Sequence, residues 1–279
     1  MSSHKLLINW YGYKSKSICG LVFLCACSLL LLSTANAADY LTIPGGQIAS
    51  VLSGPDAKEK ENVKSFSMRV SPVTNGEYQQ FLQTHPEWQR SRVPAIFADA
   101  SYLHTSVSPT YTTPTGDTDK STQAVTNVSW YAAQAYCESE NARLPSWLEW
   151  ELVAAADAHH ADARSDPDWR ARILSWYSVS SNDSSNLISH IPNYYGIKDM
   201  HGLIWEWVSD FNALLISPDS RTQGDPDKLQ FCGAGATSLQ NKENYAILMR
   251  VALLSSLTGA STTDNLGFRC ARDLTEERK

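Results

Sequence analysis

Two short segments of this chain carry residue types suited to chemistry. In Asp199-Met200-His201-Gly202-Leu203-Ile204-Trp205-Glu206-Trp207, two carboxylates bracket a glycine and the run ends among tryptophans. Calcium takes hard oxygen ligands, carboxylate mixed with carbonyl, in flexible geometry, and Gly202 permits the sharp turn that aims carbonyls inward. The segment is therefore compatible with a cation loop entering a buried strand. From the residues alone, the plainer reading is preferred: an Asp at a turn and a Glu paired with a basic residue. In the second segment, Asn265-Leu266-Gly267-Phe268-Arg269-Cys270, a glycine turn runs into a cysteine. Between the two lie Cys232, Tyr245 and Arg250, which are candidates for chemistry. Each also has a bland reading: a buried thiol beside a glycine turn, and two residues packed at the edge of the core.

The cysteines depend on what happens at the N-terminus. Lys5, Lys14 and Lys16 precede an apolar run from Ile18 to Leu32, and Ser33-Thr34-Ala35-Asn36-Ala37-Ala38 follows. That order reads as a secretory signal peptide cleaved after Ala37, and the run is shorter than the roughly 20 residues of a spanning helix. Cleavage removes Cys19, Cys25 and Cys27 of the six cysteines and leaves Cys137, Cys232 and Cys270. An odd count in an exported protein implies one bridge and one thiol left over, or an intermolecular link. The hydrophobic core must then supply most of the stability. Residues 38–279 suffice for one sizeable domain or two small ones, with no further long apolar run. The net charge of −6 becomes more acidic once three signal lysines are lost, which argues against nucleic acid or anionic lipid as the main partner.

The elements that position these residues are short. Residues 39–72 alternate like strands around turns. Thr74-Asn75-Gly76-Glu77 is a capping box, followed at helical spacing by Tyr78, Phe81 and Leu82. Asn127 or Ser129 caps a helix carrying Trp130, Ala133, Ala135, Tyr136 and Cys137 near one face, which Asn141 and Pro145 end. Ser146-Trp147-Leu148-Glu149 is a second capping box, opening a helix to about Ala156 with Trp150 and Val153 inward. Residues 105–123 read as a surface loop, and residues 157–168 as irregular chain. Residues 174–198 suit loops and short strands. The adjacent His159 and His160 face different directions on any helix and read as surface residues. No GxSxG, HExxH, phosphate-loop or dinucleotide fingerprint occurs. The expectation is a loop-rich α+β domain.

Several blocks in this order resemble the formylglycine-generating (sulfatase-modifying) enzyme family. They are Ser71 to Tyr78, Val125 to Trp130 with Ala135-Tyr136-Cys137, Ala142 to Pro145 with Glu149-Trp150-Glu151, Gly202 to Trp207, and Asn265 to Cys270. The resemblance implies a single domain over 38–279 with a loop-rich variant of the C-type-lectin fold. Thr84 to Trp88, Arg92 to Asp99 and Phe231 to Ala236 are more specifically similar to an exported bacterial branch. That branch is known from pyoverdine maturation and from genes beside copper nitrite reductases.

The resemblance also implies roles. Asp199, Gly202, Ile204 and Glu206 match the family's structural calcium ligands, and Cys137 and Cys270 match its disulfide. The family oxidises a substrate cysteine with O2 and a Cu(I) held by two cysteines, since soft thiolates suit soft Cu(I). Counted back without gaps from Asn265, those positions hold Asn241 and Ala246, and the arginine that follows them is Leu254, although Arg250 is retained. Copper, and formylglycine formation by that route, are therefore not expected.

Two functions compete. One is a periplasmic or secreted oxidative maturation enzyme, acting on a peptide-derived or protein substrate through Cys232, Tyr245 or Arg250. The other is a non-catalytic accessory or binding module for a periplasmic redox protein such as a copper nitrite reductase.

Overall fold

A computed structural model describes residues 39–50, 60–104, 120–178, 188–214 and 245–274. The chain divides into two compact units, 1–37 and 38–279, and every described residue belongs to the second. Its sheets are small. In the largest, β1 (Tyr40–Ile43), β4 (Phe66–Arg69) and β7 (Ala271–Asp273) lie in the order β1-β4-β7, all antiparallel. β4 pairs Phe66 with Asp273 and Met68 with Ala271, so two strands some two hundred residues apart in sequence are fastened together. β2 (Gly46–Ile48) pairs with β3 (Glu61–Val63). β5 (Trp205–Glu206) runs parallel to β6 (Leu266–Gly267), with Trp205 opposite Leu266 and Glu206 opposite Gly267.

Local chemistry accounts for the first helices. In α1 (Asn75–Thr84), the Thr74 side chain accepts from the Glu77 N–H while Glu77 accepts from the Thr74 N–H. Ser129, not Asn127, caps α2 (Trp130–Ser139); Asn127 instead takes a left-handed turn at φ 54°, a conformation that asparagine tolerates better than most residues. The Ser146–Glu149 box opens α3 (Trp147–Ala154), which stops two residues before the expected Ala156. All these elements pack round one core whose largest members include Trp147, Trp150, Trp207, Tyr78, Phe66 and Phe268. The helical tryptophans at 147 and 150 are thus core, with exposures of 1% and 0%.

Two helices depart from the sequence reading. α4 (Pro167–Ser178) enters residues expected to be loop and short strand; Pro167 at its start suits a first helical turn, and Trp169 and Ile173 are buried at helical spacing. α5 (Tyr245–Ser255) was not foreseen as an element at all. Its residues, Tyr-Ala-Ile-Leu-Met-Arg-Val-Ala-Leu-Leu-Ser, are apolar nearly all round, so the polar face that reveals an amphipathic helix is missing. No helix among the described residues is long and apolar enough to cross a membrane.

A disulfide joins Cys137 on α2 to Cys270, just before β7, with a Cα–Cα separation of 5.5 Å. In the chain-entropy account a cross-link over so long a loop stabilises by about 4–5 kcal/mol. Gly267 is a packing glycine: a Cβ there would meet the Val125 carbonyl oxygen at 2.1 Å.

Candidate functional site

The parallel pair β5–β6 brings the two chemically suggestive segments side by side. The Trp205 N–H donates to the Asn265 carbonyl at 2.7 Å, and the Trp207 N–H to the Gly267 carbonyl at 3.0 Å. Glu206 is fully buried and faces Arg269, which is equally buried. Arg269 Nη2 donates to Glu206 Oε1 at 2.7 Å and Nε to Oε2 at 2.9 Å, while Trp150 Nε1 donates to Oε2 at 2.9 Å. The guanidinium also reaches main-chain oxygens, Lys198 O at 2.9 Å and Asp199 O at 3.3 Å. A buried carboxylate is tolerable only when it is paired and hydrogen-bonded in this way.

The loop leading to Glu206 is built from left-handed turns, with φ 55° at Asp199 and 86° at Gly202. Gly202 has a second constraint, because the Trp176 ring lies 2.7 Å from where a Cβ would sit. Asp199 Oδ2 accepts the Ser189 N–H at 2.8 Å. Burial raises the pKa of its carboxyl above the usual carboxylate value, and the charge of Glu206 adds to the effect. His201 sits between Trp150, Trp169 and Trp176, with ring centroids 5.7, 5.7 and 6.5 Å away, and its Nε2 lies 2.8 Å from the Ala154 carbonyl oxygen. Desolvation pulls its pKa down to about 4, with the nearby Arg250 charge adding to the depression.

The donor chemistry fits calcium in part. Asp199 and the Gly202 and Ile204 carbonyls supply hard oxygens along one short loop, and a cation there would offset the proximity of the Asp199 and Glu206 carboxylates. Glu206, however, already serves Arg269 and Trp150, so an ion would have to share it. The described residues contain no group of three or more His, Cys, Asp or Glu side chains able to hold a metal.

The candidates for chemistry fare differently. Arg250 is 1% exposed; its guanidinium carbon lies 3.6 Å from the centroid of the Trp150 ring, and Nη2 donates to the Glu206 carbonyl. It packs against Trp150 and braces β5. Tyr245 begins α5, and Ala246 follows it on that helix. Cys232 and Asn241 lie outside the described residues. His159 and His160 are exposed, with the His160 ring nitrogen 3.1 Å from Asp157 Oδ2.

A constellation the sequence did not reveal is Arg143 held between Glu149 and Asp273. Glu149 was visible as a capping-box residue, but Asp273 approaches only because β7 joins β4.

A sequence model described as "Sulfatase-modifying factor enzyme 1-like domain" matches residues 31–274. The chain belongs to this family. Among sulfatase-modifying-factor relatives, the mouse "Inactive C-alpha-formylglycine-generating enzyme 2" is 25% identical over 296 residues, covering 90% of this chain and 91% of the mouse protein. The formylglycine-generating enzyme of Streptomyces coelicolor is 33% identical over 175 residues, 56% of this chain and 54% of that enzyme. Hercynine oxygenase of Mycolicibacterium smegmatis is 26% identical over 200 residues, 62% of this chain and 46% of the oxygenase. Among solved structures, PvdO from Pseudomonas aeruginosa aligns at 17% identity with a TM-score of 0.43, covering 85% of this chain and 95% of PvdO. CarF aligns at 17% identity with a TM-score of 0.46, covering 85% of this chain and 98% of CarF. The α+β, loop-rich fold is that of the formylglycine-generating-enzyme-like family.

Proposed function

We propose that this chain is an exported sulfatase-modifying-factor-like protein that works as a binding or accessory module, without the family's thiol-copper oxidation. The observation that carries the reading is the Cys137–Cys270 disulfide. It consumes two of the three cysteines beyond residue 37, so a chain cleaved after Ala37 would keep Cys232 as its one remaining thiol. A Cu(I) ion needs soft ligands, and Asn241 and Ala246 supply none. The long match to a mouse relative named inactive supports the same reading. The partner is a periplasmic redox protein, in keeping with the bacterial branch the sequence resembles. A structural calcium ion at Asp199, Gly202, Ile204 and Glu206 would steady loops that have little ladder hydrogen bonding of their own.

The test uses the protein beginning at Ala38, supplied with Cu(I), O2 and a cysteine-containing sulfatase peptide. The expected result is no tight copper binding and no loss of the peptide thiol, whereas aldehyde formation in the peptide would overturn the proposal. A second reading, oxidative maturation of a peptide-derived molecule, draws on the relative named hercynine oxygenase. Substrate-dependent O2 consumption by the purified chain with a siderophore precursor would favour it, and a Cys232→Ser variant would show whether that thiol takes part.

A further inference from the structure

A groove of about 740 Å³ lies away from the β5–β6 pair, where residues at the ends of β3 and β7 meet the start of α3. Arg143 lies within it and is held asymmetrically. On one side Glu149 meets the guanidinium with both oxygens, Oε1 at 2.7 Å from Nη2 and Oε2 at 2.7 Å from Nη1. Glu149 is itself fixed, with its side chain 11% exposed and its Oε2 accepting the Ser146 N–H at 2.8 Å. On the other side, the Nε–Nη2 edge is met by one oxygen only, Asp273 Oδ1, at 3.0 and 2.6 Å. The Asp273 side chain is 79% exposed.

We propose that this groove is a receptor for an acidic side chain on an extended peptide, with Arg143 as the anchor and Asp273 as an exchangeable placeholder. The Nε–Nη2 edge, like the Nη1–Nη2 edge that Glu149 fills, accepts a carboxylate in two parallel bonds, and Asp273 occupies it with a single oxygen. A ligand carboxylate can offer both. Releasing Asp273 costs little, because an exposed ion pair contributes little and water receives the freed carboxylate. Glu149 stays in place, so the receptor is pre-oriented before the ligand arrives. Lys64 lines the same groove and is exposed, and its charge acts on Asp273; it adds a second cation for an acidic ligand. Leu148 and the partly exposed Leu274 offer apolar walls to the residues flanking that carboxylate. The inference goes beyond the reading above and holds whether or not the chain catalyses a reaction.

Fluorescence anisotropy of the protein starting at Ala38, with a labelled Ala-Leu-Asp-Leu-Ala peptide and its Asn counterpart, tests it. The aspartyl peptide should bind measurably more tightly than the asparaginyl one. Asp273→Ala should tighten binding about two- to fivefold by removing the competitor, and Lys64→Glu should weaken it. Both substituted side chains are exposed, so the fold should survive, as circular dichroism can check. Equal binding of the two peptides, no binding of either, or unchanged or weaker binding to Asp273→Ala would overturn the proposal.

Discussion

Arg269 and Glu206 form a fully buried ion pair, with Nη2 to Oε1 at 2.7 Å, that ties the segment after β6 to the strand β5. The same guanidinium bonds Lys198 O and Asp199 O, so one side chain secures both the strand and the loop before it.

Breaking this pair one side at a time should be costly. Arg269→Ala leaves Glu206 buried without its counter-charge, and the expected loss is about 3–5 kcal/mol. Urea melts of the disulfide-intact protein measure it. A loss below about 1 kcal/mol would mean that water reaches the carboxylate and that the pair is not a structural centre.

Calcium is best tested at Asp199, because Glu206 has a structural duty of its own. If the loop holds an ion, added Ca2+ should raise the melting temperature of the wild-type chain, and Asp199→Ala should remove that response. An identical calcium response in the variant would exclude Asp199 as a ligand.

His201 predicts acid sensitivity of a definite sign. Its folded pKa of about 4 lies below the ordinary 6.5, so between those values the unfolded chain binds more protons than the folded one. Its contribution is complete above about pH 6.5 and is lost as pH falls towards 4. The span corresponds to at most about 3 kcal/mol. Asp199 and Asp210, with raised pKa values, act in the opposite direction over their own range. The useful quantity is therefore the difference between wild type and His201→Gln, whose amide can still donate to Ala154 O. That difference should shrink as pH falls from 6.5 to 4; a constant difference would show that His201 titrates normally.

The cysteines give a direct count. Denatured but unreduced protein beginning at Ala38 should show about one reactive thiol, Cys232, and about three after reduction. Cys137→Ser should lose up to about 4–5 kcal/mol of stability and release Cys270 to thiol reagents. Three thiols before reduction would mean that the bridge does not form in the purified protein.

Helix caps were legible because they are satisfied within one turn: Thr74 with Glu77 and Ser146 with Glu149 need nothing from the rest of the chain. α5 was not legible, since an evenly apolar segment announces burial but not helix. Of the candidates for chemistry, Arg250 has a position that only the tertiary structure gives, with its guanidinium 3.6 Å from the centroid of the Trp150 ring.

By itself, then, the sequence determined the family blocks, the order of the capped helices and the glycine at 202. Tertiary structure decided which charges meet: Glu206 with Arg269, and Arg143 with Asp273 as well as Glu149. The reason is physical. Caps and turns are settled by neighbours in the chain, whereas a buried charge is settled by whichever distant group the sheets bring within hydrogen-bonding reach.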